Sequence, residues 1–166
     1  MRIYFGLGSN LGDRLRNLRD AVRGLTTLGK IIKSSDIYET PAWGGVIQPD
    51  YLNACILIET DSQQNPHEIL KRIKFFESKL GRVPSVRWGA RKIDIDILLI
   101  DDLIYNTPDL VIPHVNLHNR LFVLVPLREI LPEKWTHPQS NKNISELIDS
   151  LRNKEAWPLR ITKLQI

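Results

Sequence analysis

Residues 87–100 are Arg87-Trp88-Gly89-Ala90-Arg91-Lys92-Ile93-Asp94-Ile95-Asp96-Ile97-Leu98-Leu99-Ile100. The second half of this stretch predicts a β-strand, because isoleucine is β-branched and residues 93–100 contain no strand-breaking residue. Side chains alternate across a strand, so Asp94 and Asp96 share one face, roughly 6–7 Å apart. The isoleucines before, between and after them occupy the other face. The stretch therefore predicts a strand that is apolar on one side and carries two carboxylates on the other.

The paired carboxylates favour a metal site. Two anions on one face of a central strand repel each other, and partial burial disfavours their ionisation. A hard divalent cation that bridges them removes both penalties, and all-oxygen ligation favours Mg²⁺. Several cations that suit phosphate oxygens stand just upstream: Arg82, Arg87, Arg91 and Lys92. The combination indicates metal-assisted phosphoryl transfer, although an edge strand with solvated aspartates beside an arginine-rich loop would show the same residues.

Length and composition describe an ordinary globular chain. The 166 residues, 42% hydrophobic and 25% charged, predict one domain with a substantial core. The net charge of +4 fits an anionic small ligand as well as nucleic acid, but no block of like charges suggests a nucleic-acid-binding tail. The single cysteine, Cys55, excludes an internal disulfide and a multi-cysteine zinc site. With neither a signal peptide nor an apolar run of membrane-spanning length, we expect a cytoplasmic protein with no membrane partner.

The rest of the chain predicts strands interrupted by two clear helices. Apolar residues at helical spacing predict the first helix between Leu15 and Leu25, with Gly29 as its stop. Asn65 and Pro66 predict the start of the second helix, as its cap and first residue, and Gly81 its end. Further predicted elements are strands 3–7, 31–38, 51–59, 110–112 and 159–164, a hairpin return at 103–105, a helical turn at 126–131 and a final short helix at 144–151. Without strict alternation of strand and helix, this order predicts an α+β fold with a mostly antiparallel sheet covered by helices.

The first glycine cluster, Gly6, Gly8 and Gly12, invites comparison with nucleotide-binding loops. Its spacing is one residue longer than the dinucleotide fingerprint, and the chain contains no P-loop. A turn from strand to helix, with Asp13 near the helix N-terminus, explains the glycines equally well. We favour the turn over phosphate binding.

A second candidate region is the loop of residues 39–50, which is long and rich in proline and glycine. Such loops are usually functional or disordered, and Trp43 is expected to close over an apolar surface. In the strand that follows, Tyr51, Asn53 and Cys55 share one face. Asn53 beside Tyr51 either recognises a planar, hydrogen-bonding ligand or satisfies backbone groups of the neighbouring loop.

The block Arg87-Trp88-Gly89-Ala90-Arg91 followed by Ile93-Asp94-Ile95-Asp96-Ile97 resembles the signature of the 6-hydroxymethyl-7,8-dihydropterin pyrophosphokinase family. The resemblance covers residues 3–132 in the family's order. Its weaker blocks are Gly6-Leu7-Gly8-Ser9-Asn10-Leu11-Gly12, Tyr38-Glu39-Thr40-Pro41, Tyr51-Leu52-Asn53-Ala54, Gly81-Arg82, Pro113-His114 and Arg120-Leu121-Phe122.

The resemblance implies a folate-pathway enzyme. Such an enzyme moves the β,γ-pyrophosphoryl group of ATP to the hydroxymethyl oxygen of the reduced pterin and releases AMP. It also implies that residues 1–166 form a single domain, built as a ferredoxin-like, three-layer α/β/α sandwich around a mostly antiparallel sheet. The chain is expected to act as a monomer.

The resemblance also implies roles for individual residues. Asp94 and Asp96 would hold two Mg²⁺ ions, and Arg82 and Arg91 would complete the catalytic group by lying against the phosphates. The residues implied for ATP binding are Arg87, Trp88, Ile97, His114 and Arg120. The residues implied for pterin binding are Thr40, Trp43, Tyr51, Asn53 and Phe122. The loops around Trp43 and between Arg82 and Arg91 would close over both substrates.

The chain departs from the family pattern at several positions. Pro84 and Ser85 lie where the family usually carries another basic residue, Ala90 stands where proline is common, and Val115 replaces a frequent aromatic residue. We expect these changes to affect loop rigidity, ATP affinity and rate, but not the metal site.

Two other functions use similar residues. A Mg²⁺-dependent nuclease or nucleotidyltransferase would need an extended basic track, whereas basic residues here concentrate at 82–92, which favours a small phosphate ligand. A non-catalytic RNA-binding module would need exposed aromatic residues on its strands, and Asp94 and Asp96 would repel RNA. We therefore expect ATP and a pterin, not nucleic acid, as partners.

Overall fold

The structure is a computed structural model that describes residues 1–43, 47–61, 64–82 and 89–164. Its strands are β1 (Arg2–Ser9), β2 (Lys30–Ser34), β3 (Asp36–Thr40), β4 (Tyr51–Glu59), β5 (Asp94–Ile100), β6 (Tyr105–Asn106), β7 (Val111–Ile112) and β8 (Leu159–Lys163). Its α-helices are α1 (Arg14–Leu25), α2 (Pro66–Lys79), α3 (Leu121–Arg128) and α4 (Ile144–Leu151). None of the helices within the described ranges is both long enough and apolar enough to cross a membrane.

The main sheet has the strand order β5-β1-β4-β3-β8, and β2 also pairs with β4. Every pairing in this sheet is antiparallel. β6 and β7 form a separate antiparallel pair. These pairings, together with four helices, confirm the predicted α+β class and the mostly antiparallel sheet.

The alternation of side chains along the central strands builds two apolar cores. Leu52, Ala54 and Ile56 of β4 pack with α1 and α2 on one face of the sheet. Cys55 and Leu57 pack with α3 and α4 on the other face. Each large aliphatic side chain buried in this way contributes about 1.5–3 kcal/mol. Because both faces of the sheet are apolar, a polar ligand site on the sheet has to interrupt one of these two cores.

Local capping explains where the helices begin. Asn65 accepts a hydrogen bond from the His67 backbone N–H at 2.9 Å, and Pro66 is the first residue of α2, which confirms the predicted start. Asn143 and Glu146 form a capping box at the start of α4, the predicted final helix.

Three predicted elements were wrong in detail. The strand predicted at 31–38 is divided into β2 and β3 by Ser35, whose backbone N–H and side-chain Oγ bond the backbone of Cys55 and so replace regular pairing. The hairpin predicted at 103–105 does not return onto β5, because Tyr105 pairs with Ile112 of β7 instead. The predicted helical turn at 126–131 has the wrong bounds: residues 126–128 are the end of α3, which already begins at Leu121, because Pro126 removes only one hydrogen bond from the helix.

Candidate active site

Two glycines of β1, which carry no side chains, lie between two groups of polar residues: Asp94 and Asp96 of β5 on one side, and Asn53 of β4 on the other. In the sheet register, Asp94 and Asp96 of β5 lie opposite Gly8 and Gly6 of β1. On the other side of β1, Gly8 lies opposite Asn53 of β4. Because directly opposed residues point to the same face, the glycines leave an open floor between the carboxylates and β4. A Cβ atom at Gly8 would lie 3.3 Å from Asn53 Oδ1, so even alanine would crowd this floor.

This placement corrects the interpretation of the glycine cluster. Gly6 and Gly8 lie inside β1 rather than in a turn, and only Gly12, with φ +66°, has the left-handed conformation that the predicted turn requires. The signal was present in the sequence, because glycines two residues apart in a strand face the same side.

A cavity of about 470 Å³ opens above this floor, a size suited to a small-molecule ligand. It brings together most of the residues predicted for catalysis, ATP binding and pterin binding. Those that line it are Arg82, Arg91, Asp94, Asp96, His114, Arg120, Thr40, Trp43, Tyr51, Asn53 and Phe122. Sequence reasoning missed other lining residues, among them Lys74, Gln48 and Asn116.

Three predicted ATP-binding residues are not part of this group. Ile97 is 4% exposed and packs in the core with α1 and α2, so its side chain points away from the face that carries Asp94 and Asp96. Arg87 and Trp88 lie outside the described residues, as do Pro84 and Ser85.

Charge balance around the carboxylates depends on a buried glutamate. Asp94 Oδ1 lies 2.9 Å from Arg82 Nη1 and 3.1 Å from Arg91 Nη1. Arg82 also pairs with Glu77, which is 1% exposed and accepts hydrogen bonds from the Ile95 backbone N–H at 2.8 Å and from Lys74 Nζ at 2.9 Å. Glu77 therefore joins the end of α2 to β5 between the two aspartates.

Glu77 was not predicted from the sequence, but a signal for it exists. Ile69, Ile73 and Glu77 are spaced four residues apart, so a carboxylate occupies a position in the apolar stripe of α2. A buried carboxylate requires compensating partners, and Arg82 and Lys74 supply them.

The two aspartates differ in their surroundings. Burial and the negative charge of Asp94 raise the pKa of Asp96 above its usual range, and the positive charges of Lys74 and Arg120 only partly oppose this. Within the described residues, the Asp96 carboxylate makes no ion pair. An added cation would remove this penalty.

The donor set fits magnesium better than a metal enclosed by protein ligands. No cluster of three or more histidine, cysteine, aspartate or glutamate side chains that could hold a metal exists among the described residues. Mg²⁺ is commonly bound by one or two carboxylates, with substrate phosphates and water completing its octahedral shell. Asp94 and Asp96, flanked by Arg82 and Arg91, match that pattern.

His114 adds a neutral polar group to the site. Burial and the nearby positive charge of Arg120 lower the pKa of His114 to about 4, so its ring is uncharged at neutral pH. Its Nδ1 accepts a hydrogen bond from the Asn116 backbone N–H at 3.2 Å. Its own backbone N–H donates to the Leu98 carbonyl oxygen at 2.9 Å, which holds it beside β5.

On the β4 side of the cavity, the polar side chains are held by direct hydrogen bonds to neighbouring residues. The Asn53 amide donates to Thr40 Oγ1 at 2.9 Å, and both residues are 5% exposed. The Tyr51 hydroxyl donates to the Gly89 carbonyl oxygen at 3.4 Å. Burial raises the pKa of Tyr51, so its phenol stays protonated and able to donate. The Asn53 amide thus bonds a side-chain hydroxyl of β3 rather than backbone groups of the neighbouring loop, and Asn53 also lines the cavity.

Arg120 lies against two aromatic rings at the edge of the cavity. Its guanidinium carbon is 4.8 Å from the centre of the Trp43 ring and 5.5 Å from that of Phe122. Its Nε is buried and has no hydrogen-bond partner in the part of the chain that the structure describes. A buried donor without an acceptor suits an anionic or acceptor-rich ligand.

Asn10 joins the two loops that were predicted to close over the substrates. Its Oδ1 accepts from the Arg91 backbone N–H at 2.8 Å. Its Nδ2 donates to Gln48 Oε1 at 3.0 Å and to the Pro49 carbonyl oxygen at 3.1 Å. With a 2% exposed side chain, Asn10 thus links the loop after Trp43 to the residues before β5.

Comparisons with known proteins identify the family of the chain. The sequence model of the 7,8-dihydro-6-hydroxymethylpterin-pyrophosphokinase (HPPK) family matches residues 4–132. A protein of Aquifex aeolicus named 2-amino-4-hydroxy-6-hydroxymethyldihydropteridine pyrophosphokinase is 40% identical over 87% of this chain and 88% of its own. Proteins with the same name from Synechocystis sp. and Bacillus subtilis are 36% and 43% identical, over 93% and 76% of this chain and 78% and 76% of their own.

A solved structure shows the same fold. The crystal structure of wild-type Plasmodium falciparum HPPK-DHPS matches with a TM-score of 0.72 at 18% identity, over 92% of this chain and 45% of that longer chain. At this identity the match concerns the fold alone. The family match, which covers more than half of the chain, and the relatives that match over most of their length carry the assignment: the chain belongs to the HPPK family.

Proposed function

We propose that the protein transfers pyrophosphate from ATP to 6-hydroxymethyl-7,8-dihydropterin, giving the pterin diphosphate and AMP, in folate biosynthesis. It would thus be a 2-amino-4-hydroxy-6-hydroxymethyldihydropteridine diphosphokinase, the activity named for relatives in three bacteria. One observation carries the proposal: a single cavity places Asp94, Arg82 and Arg91 on one side of a glycine floor and Tyr51 and Asn53 on the other.

The arginines act on the phosphate side. Arg82 and Arg91 converge on Asp94, so their guanidinium groups are already held close to the predicted metal position. When the ATP phosphates bind there, each guanidinium can follow the charge that develops on the bridging oxygen as the pyrophosphoryl group leaves. Glu77 keeps Arg82 in place while this charge moves.

Asp94 and Asp96 are the residues that would hold magnesium. Two bound Mg²⁺ ions would neutralise phosphate charge and align the acceptor oxygen with the β-phosphorus. The two carboxylates fix that position because they project from one face of β5, the strand at the end of the sheet order, which pairs with β1. Neutral His114 and cationic Arg120, with Arg87 and Trp88, would bind the rest of ATP; for Ile97 only a role of its backbone is compatible with its buried side chain.

The acceptor would bind on the β4 side. A planar pterin would lie between the rings of Tyr51 and Phe122, with its amide and amino edges bonded by Asn53 and by backbone groups around Thr40 and Trp43. Asn53 is held rigidly by Thr40, so its amide has a defined orientation toward the cavity. Loop residues that Asn10 tethers would then exclude water, which competes with the acceptor for the pyrophosphoryl group.

For the fold, we propose the ferredoxin-like, three-layer α/β/α form, with residues 1–166 as one pyrophosphokinase domain. The support is the division of the core into one cluster with α1 and α2 and another with α3 and α4. The cytoplasmic location and the monomeric state stay predictions from the sequence.

One assay tests the proposed reaction directly. Purified protein is incubated with ATP, Mg²⁺ and 6-hydroxymethyl-7,8-dihydropterin, and AMP is measured. We expect AMP to form at a rate that depends on the pterin, and the matched reaction without pterin to give only background hydrolysis. If AMP formation does not respond to the pterin, the proposed function is wrong.

A further inference from the structure

Glu155 turns inward from an otherwise exposed segment. It follows α4 and is half-buried, whereas residues 152–154 and 156–157 are exposed. Its backbone N–H donates to the Leu151 carbonyl oxygen at 3.2 Å, so the turn that directs it inward is anchored to the end of α4. A partly buried carboxylate costs free energy unless it is hydrogen-bonded, so its partners explain its position.

The first partner is the start of α3. Glu155 Oε2 accepts a hydrogen bond from the Leu121 backbone N–H at 2.8 Å. Arg120, the residue at the cap position of α3, makes no side-chain capping bond of its own. Glu155 therefore supplies the missing cap from a distant part of the chain, and its negative charge suits the positive end of the helix.

The second partner is Trp43. Glu155 Oε1 accepts a hydrogen bond from the indole Nε1–H at 3.3 Å. The same carboxylate thus bonds both Trp43, which lies shortly after β3, and the start of α3, where Arg120 and Phe122 lie. All three of those side chains line the cavity, and the Arg120 guanidinium lies against both rings.

We propose that Glu155 is a positioning residue that holds Trp43 against Arg120 and so shapes the acceptor side of the cavity. It lies beyond residues 4–132, where the family match ends, so this contact is a property of the C-terminal segment of this chain. The proposal rests on the proposed function in one respect, namely that the pterin binds beside Trp43 and Phe122. If the Glu155 carboxylate is lost, the indole N–H loses its hydrogen bond to Glu155, and the direct link between Trp43 and the carboxylate that caps α3 is removed.

The kinetic test uses Glu155→Gln, which keeps one amide oxygen for the Leu121 N–H but cannot accept from both partners. We expect the pterin KM to rise five- to tenfold, with kcat and the ATP KM within twofold. Trp43→Phe removes the indole donor from the other side and should raise the pterin KM in the same way. Glu133→Gln makes the same charge change at an exposed position and should leave all three constants unaltered.

The double variant separates positioning from simple capping. In the Trp43→Phe background, Glu155→Gln should change the pterin KM less than twofold, because the contact is already absent. If Glu155→Gln has the same effect with and without the indole donor, Glu155 only caps α3 and the proposal is overturned. It is also overturned if Glu155→Gln leaves the pterin KM unchanged while Trp43→Phe raises it.

A measurement without substrates separates this proposal from the proposed function. Acrylamide quenching of Trp43, taken as the difference between each protein and its Trp43→Phe counterpart, should increase at least twofold in Glu155→Gln. Unchanged quenching overturns the positioning role. If quenching increases but the pterin KM is unaltered in both single variants, the positioning role of Glu155 is supported. The same result contradicts the proposal that the pterin binds beside Trp43 and Phe122.

Discussion

The two sides of the cavity, the proposed phosphate side and the proposed acceptor side, are assembled in different ways. The phosphate side is a network of charges drawn from neighbouring parts of the chain, in which Glu77 joins Lys74 and Arg82 to the strand that carries Asp94. The acceptor side combines segments far apart in sequence, since Trp43, Asn53, Phe122 and Glu155 come from four different regions. The former depends on charge balance, and the latter on packing and single hydrogen bonds.

This difference predicts which constants each side controls. Removing a charge from the phosphate side should change kcat, ATP affinity and stability together, because Glu77, Arg82 and Asp94 each have two charged partners. Removing one polar group from the acceptor side should change mainly pterin affinity. If a substitution on the phosphate side changed mainly pterin affinity, or one on the acceptor side changed kcat and ATP affinity, the two sides would not differ in this way.

The largest effect is expected for Asp96→Asn. Turnover should fall by about three orders of magnitude, because the variant loses one of the two carboxylates proposed to hold Mg²⁺. Because burial and Asp94 raise the pKa of Asp96, ionised Asp96 opposes folding, so the metal-free variant should be more stable by about 1 kcal/mol or more at pH 8. Turnover and urea unfolding without Mg²⁺ measure the two effects, with exposed Asp102→Asn as the control. Near-normal turnover would contradict the metal role.

Glu77→Gln is expected to have the next largest effect. The variant removes the buried charge that pairs with Lys74 and leaves Arg82 with Asp94 as its remaining ion-pair partner among the described residues, so the free energy of unfolding should fall by about 3 kcal/mol and kcat/KM for ATP by about 10- to 100-fold. Glu68→Gln is a matched control on the same helix, because Glu68 pairs with Lys71 at the surface, where solvent and salt screen the interaction. Equal behaviour of the two variants would show that Glu77 does not organise the phosphate side.

Much of the phosphate side could be predicted because its signals are local. The alternation of Asp94 and Asp96 with isoleucines places both carboxylates on one face, and the observed register opposite Gly8 and Gly6 agrees. The start of α2 followed from Asn65 and Pro66 alone, since capping depends on adjacent residues. Such features need no knowledge of the tertiary structure.

The remaining features depend on contacts that no local pattern encodes. Glu155 caps a helix that begins 34 residues earlier, and its role becomes visible only when α4 packs beside α3. The break at Ser35 depends on the neighbouring strand, because its hydroxyl bonds the backbone N–H of Cys55. Burial of Glu77 likewise requires α2 to lie against β5.

Asn53→Ala tests the acceptor side. The pterin KM should rise by about tenfold, because the pocket loses a buried amide, while the ATP KM should stay within twofold. Thr40→Val removes the hydroxyl that accepts from Asn53 and should cause a smaller increase, since it loosens the amide without deleting it. Parallel increases in the KM of ATP and pterin would mean that the two sides are not separable.

The smallest effect concerns His114, the uncharged group on the phosphate side. Its pKa is about 4 in the folded protein and near 6.5 when unfolded, so the unfolded chain takes up the proton first as the pH falls. Folding stability attributable to His114 is therefore complete above pH 6.5 and is lost between pH 6.5 and pH 4, by about 1–2 kcal/mol after allowance for its partial exposure.

His114→Gln should remove this part of the pH dependence. Urea unfolding at several pH values should show a shallower decline for the variant, and the slope that persists should include His137, whose pKa burial also lowers. An identical slope in both proteins would mean that folding does not lower the pKa of His114. In that case His114 would become charged once the pH falls below about 6.5, and a second cation would then adjoin Arg120 on the side of the cavity proposed to bind ATP.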